Sequence, residues 1–175
     1  MNFDDWAKVM ELDRTDYQIM DLLQNDARLM NKQIAAEVGL AASSCHERIK
    51  RLWAAGVLKE TKTIVEPSML GYELSIVVMA KISKHGQINI DALMDRLIAL
   101  PEIQQVHLVT GQFDLIVYMI AKNMNHLKEV ARAAFSDTED ISAYETSITF
   151  DSRTDFGVPL RPDETSNRGA TQRGV

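Results

Sequence analysis

Ser43, Ser44, His46, Glu47, Lys50 and Arg51 fall on one face if the segment around them is helical. Hydroxyls, an imidazole and a carboxylate early on such a face match the hydrogen-bonding edges of bases, and the cations beside them match phosphates. Ser43, Ser44, His46 and Glu47 are therefore the candidates for base contacts. Arg48, Lys50, Arg51 and Lys32 are the candidates for the phosphate backbone, with Gln33 beside Lys32 completing the set. Arg48 has a second reading, a structural ion pair with Glu47 or with an acid on an earlier helix. The opposite face carries Cys45, Ile49, Leu52 and Trp53 at i, i+4, i+7 and i+8, an apolar stripe expected to be buried.

A shorter helix precedes this one, with Ile34, Ala35 and Val38 on one face and Val38-Gly39-Leu40 as the turn between the two. An apolar underside with a polar, basic upper face is what a recognition helix presents to the major groove of double-stranded DNA. Paired amphipathic helices also occur in proteins that never touch nucleic acid, so charge serves as a second criterion. The whole chain is acidic, with 19 Lys+Arg against 25 Asp+Glu. Residues 31–62 reverse that balance: Lys32, Arg48, Lys50, Arg51, Lys59 and Lys62 stand against Glu37, Glu47 and Glu60. A positive island in a negative chain reads as a phosphate footprint.

Other chemistries find no support. The four histidines (His46, His85, His107, His126) are scattered, and no zinc-type spacing of His or Cys occurs, so no metal or other cofactor is expected. There is no nucleophile–base pair and no phosphate loop, which argues against an enzyme. The single cysteine, Cys45, lies on the apolar stripe and reads as a small buried hydrophobe. No apolar run approaches a membrane span, and the N-terminus lacks a signal-peptide pattern, so the expectation is a cytoplasmic protein. A content of 46% hydrophobic and 25% charged residues is that of an ordinary globular chain, long enough for one domain or two small ones.

The elements that position these residues follow from periodicity. Residues 1–11 are an acidic extension containing Trp6. Residues 12–25 form an amphipathic helix with Ile19, Leu22 and Leu23 inward and Asp13 or Thr15 near its start; it braces the helix-turn-helix. After Gly56, residues 57–65 are expected to pair as a wing, which closes a DNA-binding domain at residues 12–65. A hinge falls at residues 66–71, where Pro67 and Gly71 interrupt the pattern. Residues 72–151 then read as strand, helix, strand, strand, helix, strand. The strands are 72–82 (Leu74, Ile76, Val78, Ala80 and Ile82 on one face), 103–109, 115–121 and 143–150, and the helices are 90–100 and 125–135. That order, βαββαβ, is the ferredoxin-like split, an α+β architecture with one sheet face left to pair with a second sheet. A homodimer is expected through that face. Residues 152–175 form a polar tail, in which Phe156-Gly157-Val158-Pro159-Leu160 is a segment able to dock on a neighbouring subunit.

This arrangement resembles the Lrp/AsnC (feast/famine) transcription regulators from Leu12 to about Phe150. The resemblance is carried by Leu12-Asp13-Arg14-Thr15-Asp16, by Val38-Gly39-Leu40, and by Cys45-His46-Glu47-Arg48-Ile49-Lys50-Arg51-Leu52 followed by Gly56-Val57-Leu58. His107-Leu108-Val109-Thr110-Gly111-Gln112-Phe113-Asp114 carries it in the second half. It implies dimers that often assemble into octamers, promoter binding, and a response to an amino acid held between dimers near Thr110, Gly111, Gln112 and Asp114. The chemistry suits such a ligand, since Gly111 permits φ > 0 and brings backbone amides near a carboxylate. Asp114 is then the acceptor for an α-ammonium group. Gly-x-x-Asp is equally a common hairpin turn. Met119 and Met124 near the loop hint at an aliphatic effector, although methionines at such spacing more often pack in a core.

The chain departs from the family pattern where Ala41 and Ala42 stand in place of Ser and Pro, which removes a cap of roughly 1 kcal/mol. Ser43 is the candidate replacement cap. Gln112 stands where the family more often has an acid. An architectural DNA-binding protein of the same fold, without a ligand, is the alternative to a ligand-responsive regulator.

Overall fold

The computed structural model describes residues 11–83, 88–154 and 157–160. They divide into two compact units, one reaching to Thr63 and including residues 157–160, the other Ile64–Thr154.

The first unit holds three helices, α1 (Arg14–Asn25), α2 (Asn31–Glu37) and α3 (Ala42–Ala54). Helix α1 opens on a reciprocal capping box. The Asp13 carboxylate accepts the Asp16 N–H at 2.9 Å, and the Asp16 carboxylate accepts the Asp13 N–H at 3.2 Å. Gly39 makes the turn between α2 and α3 with φ of 68°, while the Leu40 N–H returns to the Ala35 carbonyl at 2.8 Å. The core beneath is Ile19, Met20, Ile34, Ala35, Cys45 and Leu52, with Leu22, Leu23, Val38 and Ile49 packed around it.

Three expectations need correction here. Ser43 does not become the cap: α3 starts at Ala42 on Ala41, with no side-chain hydrogen bond at its N-terminus, so Ser43 lies within the first turn. Trp53 is 40% exposed, because it sits about 80° around the helix from Cys45, at the rim of the stripe. Residues 57–65 contain no strand, and Ile64 and Val65 are exposed, so the helix-turn-helix has no wing among the described residues. Residues 59–62 offer no Gly, Asn or Pro to reverse the chain within that run.

The tail docks within its own unit. The Gln24 side-chain amide donates to the Val158 carbonyl at 3.0 Å and accepts the Val158 N–H at 2.9 Å, while Leu160 packs on the helical core. The contact seen for this segment is with α1 of the same chain; Phe156 itself lies outside the described residues.

The second unit opens on a 3-10 turn, Pro67–Leu70, and continues as β1 (Leu74–Ile82), α4 (Ile90–Ile98), β2 (Ile103–Leu108), β3 (Leu115–Ala121), α5 (Met124–Ala131) and β4 (Ile141–Thr149). A π-helical turn, Arg132–Ser136, carries α5 onward and buries Ala134 and Phe135. The strand order is β2-β3-β1-β4 with every pair antiparallel, the ferredoxin-like arrangement. Alternation decides the faces. Ile76, Val78 and Ala80 of β1 and Leu115, Val117, Met119 and Ala121 of β3 pack with Leu93, Leu97, Leu127, Val130 and Phe135 of the helical layer. Val77, Met79, Ile116, Tyr118 and Ile120 point to the other face, where Tyr118 is 40% exposed.

Candidate nucleic-acid interface and effector site

On α3 the structure leaves Ser43, Ser44, His46, Glu47 and Lys50 exposed on the face opposite Cys45 and Leu52, and Lys32 is exposed on α2. Gln33, also exposed, has a structural role, since its side-chain carbonyl accepts the Met30 N–H at 2.8 Å and so caps α2. Asn31 braces the start of the recognition helix by donating to the Ala42 carbonyl at 2.7 Å.

The arginines divide from the lysines. Arg48 donates to the Asp16 carboxylate at 2.9 Å and to the Asp13 carboxylate at 2.6 Å, and Arg51 reaches the other oxygen of Asp16 at 2.7 Å. Asp16 is fully buried. Its charge is held by two guanidinium groups and one backbone N–H, the condition under which a carboxylate survives burial. Partial burial works to raise the Asp13 carboxyl, but hydrogen bonds from the Asp16 N–H and from Arg48, with the charge of Arg48, bring it below its ordinary value. The structural reading of Arg48, an ion pair with an acid on the first helix, is therefore the one realised, and Arg51 shares it. Since Lys62 also pairs with Glu60 at 2.9 Å, the basic island is smaller than its residue count. Lys32, Lys50 and Lys59 are its cations without an ion pair among the described residues. Periodicity contained the one signal for this cluster: Asp16 precedes Ile19 and Met20 at i−3 and i−4, placing an acid on the buried stripe of α1.

In the second unit Thr110, Gly111 and Gln112 are exposed in the β2–β3 hairpin loop, closed by the Val109 N–H to Asp114 carbonyl bond at 2.8 Å. Gly111 has φ of 129°, a conformation reserved in practice for glycine. Asp114 is partly committed. The β1–β3 ladder ends at Ala80–Leu115, and beyond it one Asp114 carboxylate oxygen accepts the Ile82 N–H at 2.9 Å. Lys81, Ile82, Ser83, Gly111, Gln112, Asp114 and Ser142 surround a cleft of about 400 Å³. Of these, Lys81, Ser83 and Ser142 escaped sequence reasoning, because strand pairing alone brings them to the loop. Met119 is not beside the cleft but in the core, 1% exposed, and Met124 lines a separate groove with Leu127, Lys128 and Arg132. The hint of an aliphatic effector loses its basis.

A three-helix unit with an exposed recognition helix, followed by a ferredoxin-like unit with a polar cleft, defines a helix-turn-helix regulator carrying a ligand-binding domain. Residues 12–52 match the AsnC-type helix-turn-helix domain, and residues 75–157 match the Lrp/AsnC ligand binding domain. The HTH-type transcriptional regulator y4tD of Sinorhizobium fredii is 30% identical, across 86% of this chain and 90% of its own length. The leucine-responsive regulatory protein of Rhizobium meliloti is 28% identical, across 80% of this chain and 90% of its own. A Neisseria meningitidis transcriptional regulator, solved as its L-Met complex, superposes with a TM-score of 0.77 at 21% identity, covering 89% of this chain and 99% of its own. At that identity the likeness speaks for the fold. The chain belongs to the Lrp/AsnC family of transcriptional regulators. Among the described residues no helix is long and apolar enough to cross a membrane.

Proposed function

We propose that this protein is a sequence-specific regulator that binds promoter DNA through α3 and changes its assembly or operator affinity when an amino acid occupies the cleft lined by Gly111, Gln112 and Asp114, next to Thr110 in the same loop. The observation that carries the reading is the pairing of two exposed polar surfaces, each on its own compact unit. One is the α3 face of Ser43, Ser44, His46, Glu47 and Lys50, and the other is the cleft beside Gly111. Ser43, Ser44, His46 and Glu47 reach base edges, and Lys32 and Lys50 grip phosphates. Arg48 and Arg51 hold α3 against α1. The outer, half-buried sheet face of Val77, Met79, Ile116, Tyr118 and Ile120 pairs two copies into a dimer, from which an octamer is the further assembly expected of the family.

A thermal-shift panel of the full-length protein against the twenty amino acids tests the reading. A ligand at about 100 times its Kd stabilises the folded state by roughly 2.7 kcal/mol. At least one amino acid is expected to do so. A flat panel would instead favour a ligand-independent architectural protein of the same fold.

A further inference from the structure

We infer that Lys81 is the carboxylate-receiving residue of this cleft and that the effector is an α-amino acid with a small hydrogen-bonding side chain. The inference rests on the effector reading of the cleft and adds to it a residue and a ligand class.

The placement of Lys81 follows from strand alternation. Ile76, Val78 and Ala80 point into the core, so Lys81 faces away from it, at the bulge where β1 leaves register with β4. Its ammonium lies 5.7 Å from the centroid of the Phe113 ring, a contact that holds the side chain over the loop without neutralising it. Among the described residues Lys81 has no carboxylate within ion-pair distance. Among the described residues the cleft thus holds one uncompensated cation, Lys81, and one carboxylate, Asp114, which uses one oxygen on the Ile82 N–H. A zwitterion supplies the complement of both: a carboxylate for Lys81 and an ammonium for the remaining oxygen of Asp114.

The rest of the wall selects the side chain. Ser83, Gln112 and Ser142 contribute hydroxyl and amide groups, and Ile82 is the sole aliphatic residue among the described residues that line the cleft. The Ser142 hydroxyl donates to the Lys81 carbonyl at 3.3 Å, which fixes it as an acceptor toward the cleft. A branched aliphatic side chain entering here strips water from these groups and returns nothing. A hydroxyl or carboxamide side chain restores their hydrogen bonds, and unmet polar groups are what discriminate best between ligands. At about 400 Å³ the cleft is at the small end of ligand sites.

Calorimetric titration of the full-length protein decides the matter. The probes are serine, threonine, asparagine and glutamine against valine, isoleucine, leucine and methionine, and then the methyl ester of the tightest binder. The variants are Lys81→Met, Lys81→Arg and, in the separate groove, Lys128→Met. A polar amino acid is expected to bind at least about 10-fold tighter than any aliphatic one, a difference of about 1.4 kcal/mol. Lys81→Met and the ester should each lose about 10-fold, their combination no more than either alone, while Lys81→Arg and Lys128→Met retain binding. An aliphatic amino acid as tightest ligand overturns the ligand class. Unchanged affinity in Lys81→Met, or an additive loss with the ester, overturns the role of Lys81. Absence of binding by any amino acid to the unmutated protein removes the effector reading itself, and this inference with it.

Discussion

Arg51 on the recognition helix places a guanidinium nitrogen 2.7 Å from the carboxylate of Asp16, an acid of the first helix with no exposure to solvent. The two residues are 35 positions apart in the chain, and with Arg48 they turn what reads as a DNA-facing charge cluster into the brace between α1 and α3.

Replacing Asp16 by Asn should therefore destabilise the helical unit. The variant keeps the shape of the side chain but loses the charge that two arginines share. Both arginines retain access to water, so the penalty lies near that of hydrogen bonds to charged groups, about 2–3 kcal/mol, and below that of a sealed ion pair. Urea unfolding followed by circular dichroism measures it; a change under about 0.5 kcal/mol, typical of an ordinary surface site, would show that the cluster is not structural.

Lysine and arginine variants should separate on DNA. Lys50→Ala is expected to weaken binding to all duplexes and to reduce the slope of log K against log salt by about one unit. Arg48→Ala should leave that slope unchanged while lowering stability. Measuring both on one duplex between low and moderate salt decides the assignment, and a unit loss of slope in Arg48→Ala would return that arginine to the phosphate footprint.

Acid should loosen the helical unit through Asp13. Its carboxyl titrates below the ordinary value of 3.8 when folded. A depressed folded value means the stabilisation is fully present above the unfolded pKa and is lost as pH falls through the folded one. Stability should fall below about pH 4, and Asp13→Asn should flatten that part of the profile. Unfolding midpoints from pH 6 downward test this, and identical profiles for the two proteins would contradict it.

Gly39→Ala should cost about 1–2 kcal/mol, the penalty for a side chain in the left-handed region. A methyl group there has no atom within 4 Å to strike, so the whole effect is backbone strain. Gly39→Asn, better tolerated at such a φ, should lose less. Equal stability of all three proteins would mean that the turn relaxes to another conformation.

How far these features were legible in the sequence depended on their range. Alternation of Leu74, Ile76, Val78 and Ala80 exposed β1 at once, and the order of elements was enough for the ferredoxin-like topology, because local period reports which face is buried. The helix-turn-helix was equally open to reading through Ile34, Ala35, Cys45 and Leu52. Contacts between distant segments were not. The Asp16–Arg51 pair, the Gln24–Val158 pair 134 residues apart, and the meeting of Lys81 with Gly111 arise from packing that no window of sequence contains. The absent wing failed for a different reason: a run of β-prone residues forms no hairpin without residues that turn it. For the candidate site, helical period alone exposes the polar residues of α3, whereas the ion pairs of Arg48 and Arg51 with Asp16 depend on how α1 packs against α3.

The most direct test of a ligand-responsive regulator is operator affinity with and without ligand. A duplex enriched by repeated selection from random DNA, labelled and titrated by fluorescence anisotropy, should bind at least about 10³-fold tighter than an unselected duplex. At least one amino acid should change that affinity by about 5–150-fold, the usual span of allosteric coupling. Failure to enrich any sequence would contradict specific DNA recognition by α3. Enrichment with an affinity unmoved by all twenty amino acids would contradict the coupling between the cleft and DNA binding.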